Sequence, residues 1–184
     1  HSPRFFFSFP AMRLDDTDFQ LFGLPERFEQ SRTEIDARWK ALQSEVHPDR
    51  FAAQGASAQR LAMQWAVRVN EARQRLLDPL ARAAYLCELR GSPIGAESNT
   101  RMPASFLMEQ MEWREALDDA SDAAALEAVL DRTLERESAV INELQALLDQ
   151  AGKPAEAAEQ VRALMFIRRF RADVEARLVA LENN

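Results

Sequence analysis

A histidine, a proline, an aspartate and an arginine stand in a row at residues 47–50. His47 is one of only two histidines among 184 residues. Its neutral ring both donates and accepts a hydrogen bond. Asp49 offers a carboxylate for charge-assisted bonds to cationic groups. Pro48 lacks an amide proton and holds its own φ, which lowers the ordering cost of docking. Arg50 adds a planar fork of donors. The plainest account is that Pro48 stops a helix, Asp49 caps the next turn and His47 is simply exposed. An enzyme would use His47, Asp49 and a Glu as general acid and base. However, the chain carries no nucleophile elbow and no Gly-rich phosphate loop to complete such a site. Recognition is the better chemistry for these residues.

A second set lies further along the chain. Leu107, Met108 and Met111 fall at relative positions 0, 1 and 4 of a helical pattern, and Glu112, Glu115 and Asp119 follow on the same side or beside it. In a generic bundle the apolar members would be core and the acids a solvated face. Cys87 is the single cysteine, which excludes a disulfide framework. It also argues against a protein-held iron–sulfur cluster or a cysteine zinc site, since each needs several thiolates. No metal-ligand spacing is present, and no cofactor is expected.

Charge narrows the partners. Residues 1–90 carry 13 Lys+Arg against 12 Asp+Glu, whereas residues 91–184 carry 10 against 18. Nucleic acid needs a basic surface and is not expected as a partner. The acidic second half suits something neutral or basic. No apolar run approaches the roughly 20 residues that span a bilayer, so no membrane association is expected. The cluster Phe5-Phe6-Phe7-Ser8-Phe9 is too short for a signal-peptide core and is ended by Pro10. Residues 1–12 open on His1 rather than Met and are set aside from the fold reading. A reducing cytoplasm is the expected location.

The elements that position these residues are helical throughout. Ala, Leu, Glu, Arg and Gln dominate, and only five Gly are present. Asp16-Thr17-Asp18 can cap a short helix carrying Phe19, Leu21 and Phe22, ended by Gly23-Leu24-Pro25. Ser31 or Thr33 caps a second helix, with Glu34 as capping-box partner of Ser31 and a stripe of Ile35, Trp39, Leu42 and Val46. Pro48 ends it. A loop over residues 47–56 leads to a third helix, capped by Ser57, with the stripe Leu61, Trp65, Val69, Ala72 and Leu76. Two such stripes make an antiparallel hairpin with residues 47–50 exposed at one tip. A fourth helix follows Asp78-Pro79. Residues 90–103 are aperiodic and contain two Gly and two Pro, marking a linker over 91–102. Three antiparallel helices follow, at about 103–118, 122–150 and 154–182. Their stripes are Leu126, Leu130, Leu134, Ile141, Leu144 and Leu148, then Val161, Leu164, Ile167, Val174, Leu178 and Leu181. Phe106 and Trp113 belong to the core. The fold class is all-α, with units at 14–90 and 103–184.

Further runs sharpen the picture. Asn70-Glu71-Ala72 is followed by Leu76-Leu77-Asp78-Pro79-Leu80-Ala81-Arg82-Ala83-Ala84-Tyr85-Leu86. With His47-Pro48-Asp49 at a hairpin tip, these resemble the Asn-x-Ala…Leu-x-Asp-Pro…Arg-Ala-x-Tyr pattern of a J-domain across about residues 14–90. Phe19-Gln20-Leu21-Phe22-Gly23-Leu24-Pro25 and Phe106-Leu107-Met108-Glu109-Gln110-Met111-Glu112 are similar to the HscB type of J-domain co-chaperone. That resemblance implies a protein that is not itself an enzyme and works in iron–sulfur cluster assembly. It implies that His47, Pro48, Asp49 and Arg50, with Arg38 and Lys40, meet an HscA-type seventy-kilodalton heat-shock chaperone and stimulate its ATPase. It implies a client patch for an IscU-type cluster scaffold at Leu107, Met108, Met111, Glu112, Glu115, Asp119 and Phe166. A helical adaptor without ATPase stimulation is the alternative. Two features depart from the family pattern. Arg50 stands where many J-domains have Lys, and the second helix sets Arg32, Arg38 and Lys40 against Glu34, Asp36 and Glu45.

Overall fold

The computed structural model describes residues 12–95 and 100–184. The Phe5–Phe9 cluster and residues 96–99 of the expected linker lie outside that range. The described residues divide into two compact units, one ending at Ala81 and the other beginning at Arg82. The described residues form helices and turns without a strand. No helix among them is long and apolar enough to cross a membrane.

In the first unit, α1 (Asp18–Phe22) is capped by Thr17. The Gln20 amide donates to the Thr17 hydroxyl at 3.1 Å, and the Gln20 side chain accepts from the Thr17 amide at 2.9 Å. The expected cap therefore narrows to Thr17. Asp18 instead turns inward, fully buried. Helix α2 (Arg32–Val46) is capped by Ser31, whose hydroxyl accepts from the Glu34 amide at 3.3 Å. The Glu34 carboxylate pairs with Arg38 at 3.1 Å, in place of the reciprocal bond expected to Ser31. Pro48 ends α2 as expected, holding His47 at φ −61, ψ 129. Residues Pro48–Gln54 then form a 3₁₀ helix rather than an open loop. Helix α3 (Ala56–Leu77) begins at Gly55 without a side-chain cap. Ser57, the expected cap, lies one residue inside the helix, and its hydroxyl accepts from Arg60 at 3.4 Å.

Helices α2 and α3 pack as an antiparallel hairpin, with α1 against both. The core holds Ile35 and Val46 of α2, Trp65, Val69, Ala72 and Leu76 of α3, and Phe19 and Phe22 of α1. Leu61 is exposed, and Ala62 takes the inward position expected of it. Two polar clasps cross this unit. Asp18 accepts from Arg68 at 2.7 Å and from Arg75 at 2.6 and 2.9 Å. The Trp39 indole donates to Asn70 at 2.8 Å, while Arg73 lies 4.5 Å over the Trp39 ring and pairs with Asp36 at 3.1 Å.

Helix α4 (Pro79–Leu89) crosses the division between the units, so its residues from Arg82 onward belong to the second. The sequence reading places the boundary at residue 90. Within the second unit, Arg90 donates to the Leu148 carbonyl at 2.6 Å. Such a bond ties the end of α4 to the bundle, which periodicity does not register. Helices α5 (Ala104–Asp119), α6 (Ala123–Gln145) and α7 (Pro154–Glu182) follow. Asp122 caps α6 by accepting from the Ala125 amide at 2.8 Å. Helix α6 ends in a π turn, Ala146–Gln150, closed by a Lys153 amide bond to the Leu147 carbonyl with Gly152 left-handed at φ 61. Pro154 opens α7, where its missing amide proton costs nothing.

The bundle runs up, down and up, so α5 and α7 are parallel and only α6 opposes them. Phe106, Trp113, Leu126, Val140, Leu144, Leu164, Ile167 and Phe170 are buried between the three helices. Leu134 and Leu181, expected on the apolar stripes, are exposed. Thr133 points inward beside Leu134, its hydroxyl donating to the Val129 carbonyl at 2.8 Å. Buried Glu137 of α6 is held by Arg168 and Arg171 of α7.

Candidate functional site

The hairpin tip is built by Pro48. Because proline stops α2, His47 serves both as its C-cap and as the N-cap of the 3₁₀ helix. Its Nδ1 accepts from the Asp49 amide at 3.2 Å and stands 3.6 Å from the Asp49 carboxylate. A neutral ring accepting at Nδ1 carries its proton on Nε2, so an outward donor remains available. The side chains of His47 and Asp49 are 51% and 92% exposed, too open for a dry catalytic pair. Arg50 is held by its own turn, its guanidinium donating to the Ser44 carbonyl at 3.0 Å.

A hollow of about 390 Å³ beside the tip is lined by Lys40, Gln43, Ser44, His47 and Arg50. Three of the sequence-derived tip residues thus meet on one surface. Asp49 does not line it. Arg38 lies elsewhere on α2, where its guanidinium donates to the Phe22 carbonyl at 3.3 Å and to Glu34 at 3.1 Å. It lines a different hollow with Gly23, Leu24 and Ser31. The structure therefore does not bring Arg38 to Lys40.

The second unit carries a larger hollow of about 570 Å³ between α5 and α7. Met108, Met111, Glu112 and Glu115 of α5 line it with Phe166 of α7, joined by Gln110, Arg114 and Asp118. Leu107, Met108 and Met111 are 55%, 65% and 71% exposed, so none is core. Phe166 is half-buried. Its ring meets Phe106 edge-on at 5.7 Å and lies near-parallel to Phe170 at 6.1 Å. Trp113 completes this aromatic floor 5.4 Å from Phe170. Leu107 and Asp119 do not line the hollow. Among the described residues, no group of three or more His, Cys, Asp or Glu is placed to hold a metal ion.

The family model for the HSCB C-terminal oligomerisation domain matches residues 102–175, from just before α5 through most of α7. The co-chaperone protein HscB homolog of Burkholderia mallei (strain SAVP1) is 50% identical over 173 residues, covering 92% of this chain and 98% of that one. The chain belongs to the HscB co-chaperone family. The homolog from Paraburkholderia phymatum is 49% identical with the same coverage. The HscB chaperone of Vibrio cholerae superposes with a TM-score of 0.77 at 36% identity, over 90% of this chain and 99% of that one. Human HscB shares the fold, with a TM-score of 0.83 at 23% identity over 91% and 84% of the two chains.

Three residues of this HscB family member, Gln110, Arg114 and Asp118, line the α5–α7 hollow without having been singled out from the sequence. Arg114 sits 5.7 Å from the Phe166 ring, a cation–π contact. Asp118 takes the place expected for Asp119. Arg114 and Asp118 could have been found by spacing, since 111, 114, 115 and 118 form one face of a helix.

Proposed function

We propose that this HscB-type protein couples two partners in iron–sulfur cluster assembly in the cytoplasm. The first unit engages an HscA-type chaperone through the hairpin tip and stimulates its ATPase. The second presents an IscU-type scaffold on the hollow between α5 and α7. The observation that carries the reading is the tip itself: an exposed His-Pro-Asp turn, braced by the His47–Asp49 bond, beside a hollow lined by Lys40 and Arg50. Such a surface recognises an acidic or hydrogen-bonding partner and has no means of turning over a substrate.

The ATPase chemistry belongs to the partner, whose conformational populations shift on docking. Pro48 pre-forms the turn, so little entropy is lost on binding. Of the basic candidates, Lys40 and Arg50 carry the steering. Arg38 acts through the α1–α2 corner instead. On the second surface, exposed methionines adapt to an apolar partner face. Glu112, Glu115 and Asp118 favour a basic rim on the scaffold.

Steady-state ATPase measurements with an HscA-type chaperone test the first half. His47→Gln and Asp49→Ala should each lower stimulation by roughly tenfold or more, with the helical signal and melting temperature unchanged. Normal stimulation by both variants overturns it and leaves the adaptor reading.

A further inference from the structure

The client hollow exists only if α5 stands at the right height against α7. Met108 and Met111 come from one helix and Phe166 from the other. The apolar interface between them is narrow, and it rests on Phe106, Trp113, Phe166 and Phe170. Helical apolar faces repeat every turn, so a slip of about 5.4 Å would still bury rings. Something else must select the register.

Two arginines of α7 do so at the two ends of α5. Arg162, 5% exposed, donates from Nε to the Ile94 carbonyl at 3.0 Å and from Nη1 to the Arg101 carbonyl at 2.9 Å. It thereby gathers the chain that enters α5. Arg177 donates from Nη1 to the Leu117 carbonyl at 2.7 Å, in the last turn of α5, and stands 3.6 Å from Asp118. The sequence offsets of the two clamps are 61 and 60 residues. They lie about 22 Å apart along α7 and agree on a single parallel register. A one-turn slip breaks both at once. Each bond is charge-assisted, and the Leu117 carbonyl, which also accepts from the Ala120 amide at 3.3 Å, lies in the last turn of α5.

We propose that Arg162 and Arg177 are positioning residues that set the register of α5 on α7, and so determine whether Met108, Met111 and Phe166 form one docking surface. The functional part rests on reading that hollow as the scaffold site; the register part does not. Neither arginine lines the hollow. The two clamps also differ in what they demand. Arg177 needs one donor to one helix carbonyl, which a lysine can supply. Arg162 needs two donors diverging to two carbonyls, which a single ammonium serves poorly.

The test uses the full chain with spin labels at Ser105→Cys and Ala172→Cys, both exposed positions, with Cys87 buried and unreactive. The labelled chain should give one narrow distance distribution. The pair Arg162→Met with Arg177→Met should broaden it. Amide exchange should quicken roughly tenfold in α5 and stay unchanged in α6 and α7. Affinity for a purified IscU-type scaffold should weaken roughly tenfold, while stimulation of the chaperone without scaffold stays normal. Arg177→Lys should behave as the unsubstituted chain, and Arg162→Lys should resemble Arg162→Met. A distribution that stays narrow in the double variant overturns the proposal, as does faster exchange spread evenly over all three helices. Broadening with unchanged scaffold affinity overturns the link to docking. Failure of the unsubstituted chain to bind scaffold counts against the client reading alone, and the distance measurement still decides the register.

Discussion

At the scale of single residues, exposure separates the groups that act outward from those that hold the fold. His47 and Asp49 stand in solvent, so under the proposed function their replacement should alter recognition rather than stability. Asp18 is the opposite case, a fully buried carboxylate against Arg68 and Arg75. Asp18→Asn keeps the shape and deletes the charge, leaving two cations against a neutral amide. Urea unfolding should show a loss of about 3 kcal/mol, the low end for a broken buried pair because both guanidiniums keep some solvent. Cys87 gives a pH signature. Burial pushes its thiol up to about 11, with the positive charges of Arg90 and Arg162 opposing the shift. The unfolded thiol ionises near its ordinary value of 9.0. Stability from the neutral buried thiol is therefore complete below about pH 9 and is lost as pH rises towards about 11. Thermal melts between pH 8 and 11 should show that decline, and Cys87→Ala should flatten it.

At the scale of elements, the hairpin that presents the tip is clasped by polar side chains as well as by its apolar stripes. Asn70 belongs to a run that the sequence offers only as a pattern. In the fold it accepts the Trp39 indole proton, and Arg73 covers the same ring. Asn70→Ala should cost about 0.5–1 kcal/mol in urea unfolding, because the indole bond is solvent-exposed and water can take the place of Asn70. Stimulation of the chaperone should persist in the folded fraction. The helices themselves were largely legible from sequence, since apolar spacing and Pro48, Pro79 and Pro154 mark their limits. The departures have a common cause. Leu61 and Leu134 lie within one position of the true inward face, and a stripe of about 100° tolerates either choice. Ala62 and Thr133 fill the inward positions. The 3₁₀ helix after Pro48 was missed because short tight turns carry no periodic signal.

At the scale of the whole molecule, the proposed function assigns one activity to each unit, and the two should be separable. Replacing Leu107, Met108 and Phe166 together with Ala should weaken scaffold affinity by roughly tenfold or more and leave basal stimulation of the chaperone intact. His47→Gln should do the reverse. Calorimetric titration against the scaffold, beside the ATPase assay, reads both in the same preparations. A loss of both activities in either variant would show that the two surfaces are not independent.

The sequence by itself determined the helical class, the placement of His47-Pro48-Asp49 at a helix break and the family. These follow from local rules: periodicity, proline geometry and short motifs each act within a few residues. Only the tertiary structure decided which candidates share a surface. Arg38 and Lys40 lie two residues apart yet line different hollows, because successive helical positions turn about 100° each. Asp118 displaced Asp119 for the same reason. The arginine clamps of α5 were invisible in the sequence, because their acceptors are backbone carbonyls about sixty residues away. A carbonyl has no residue type, so no pattern of side chains can announce it.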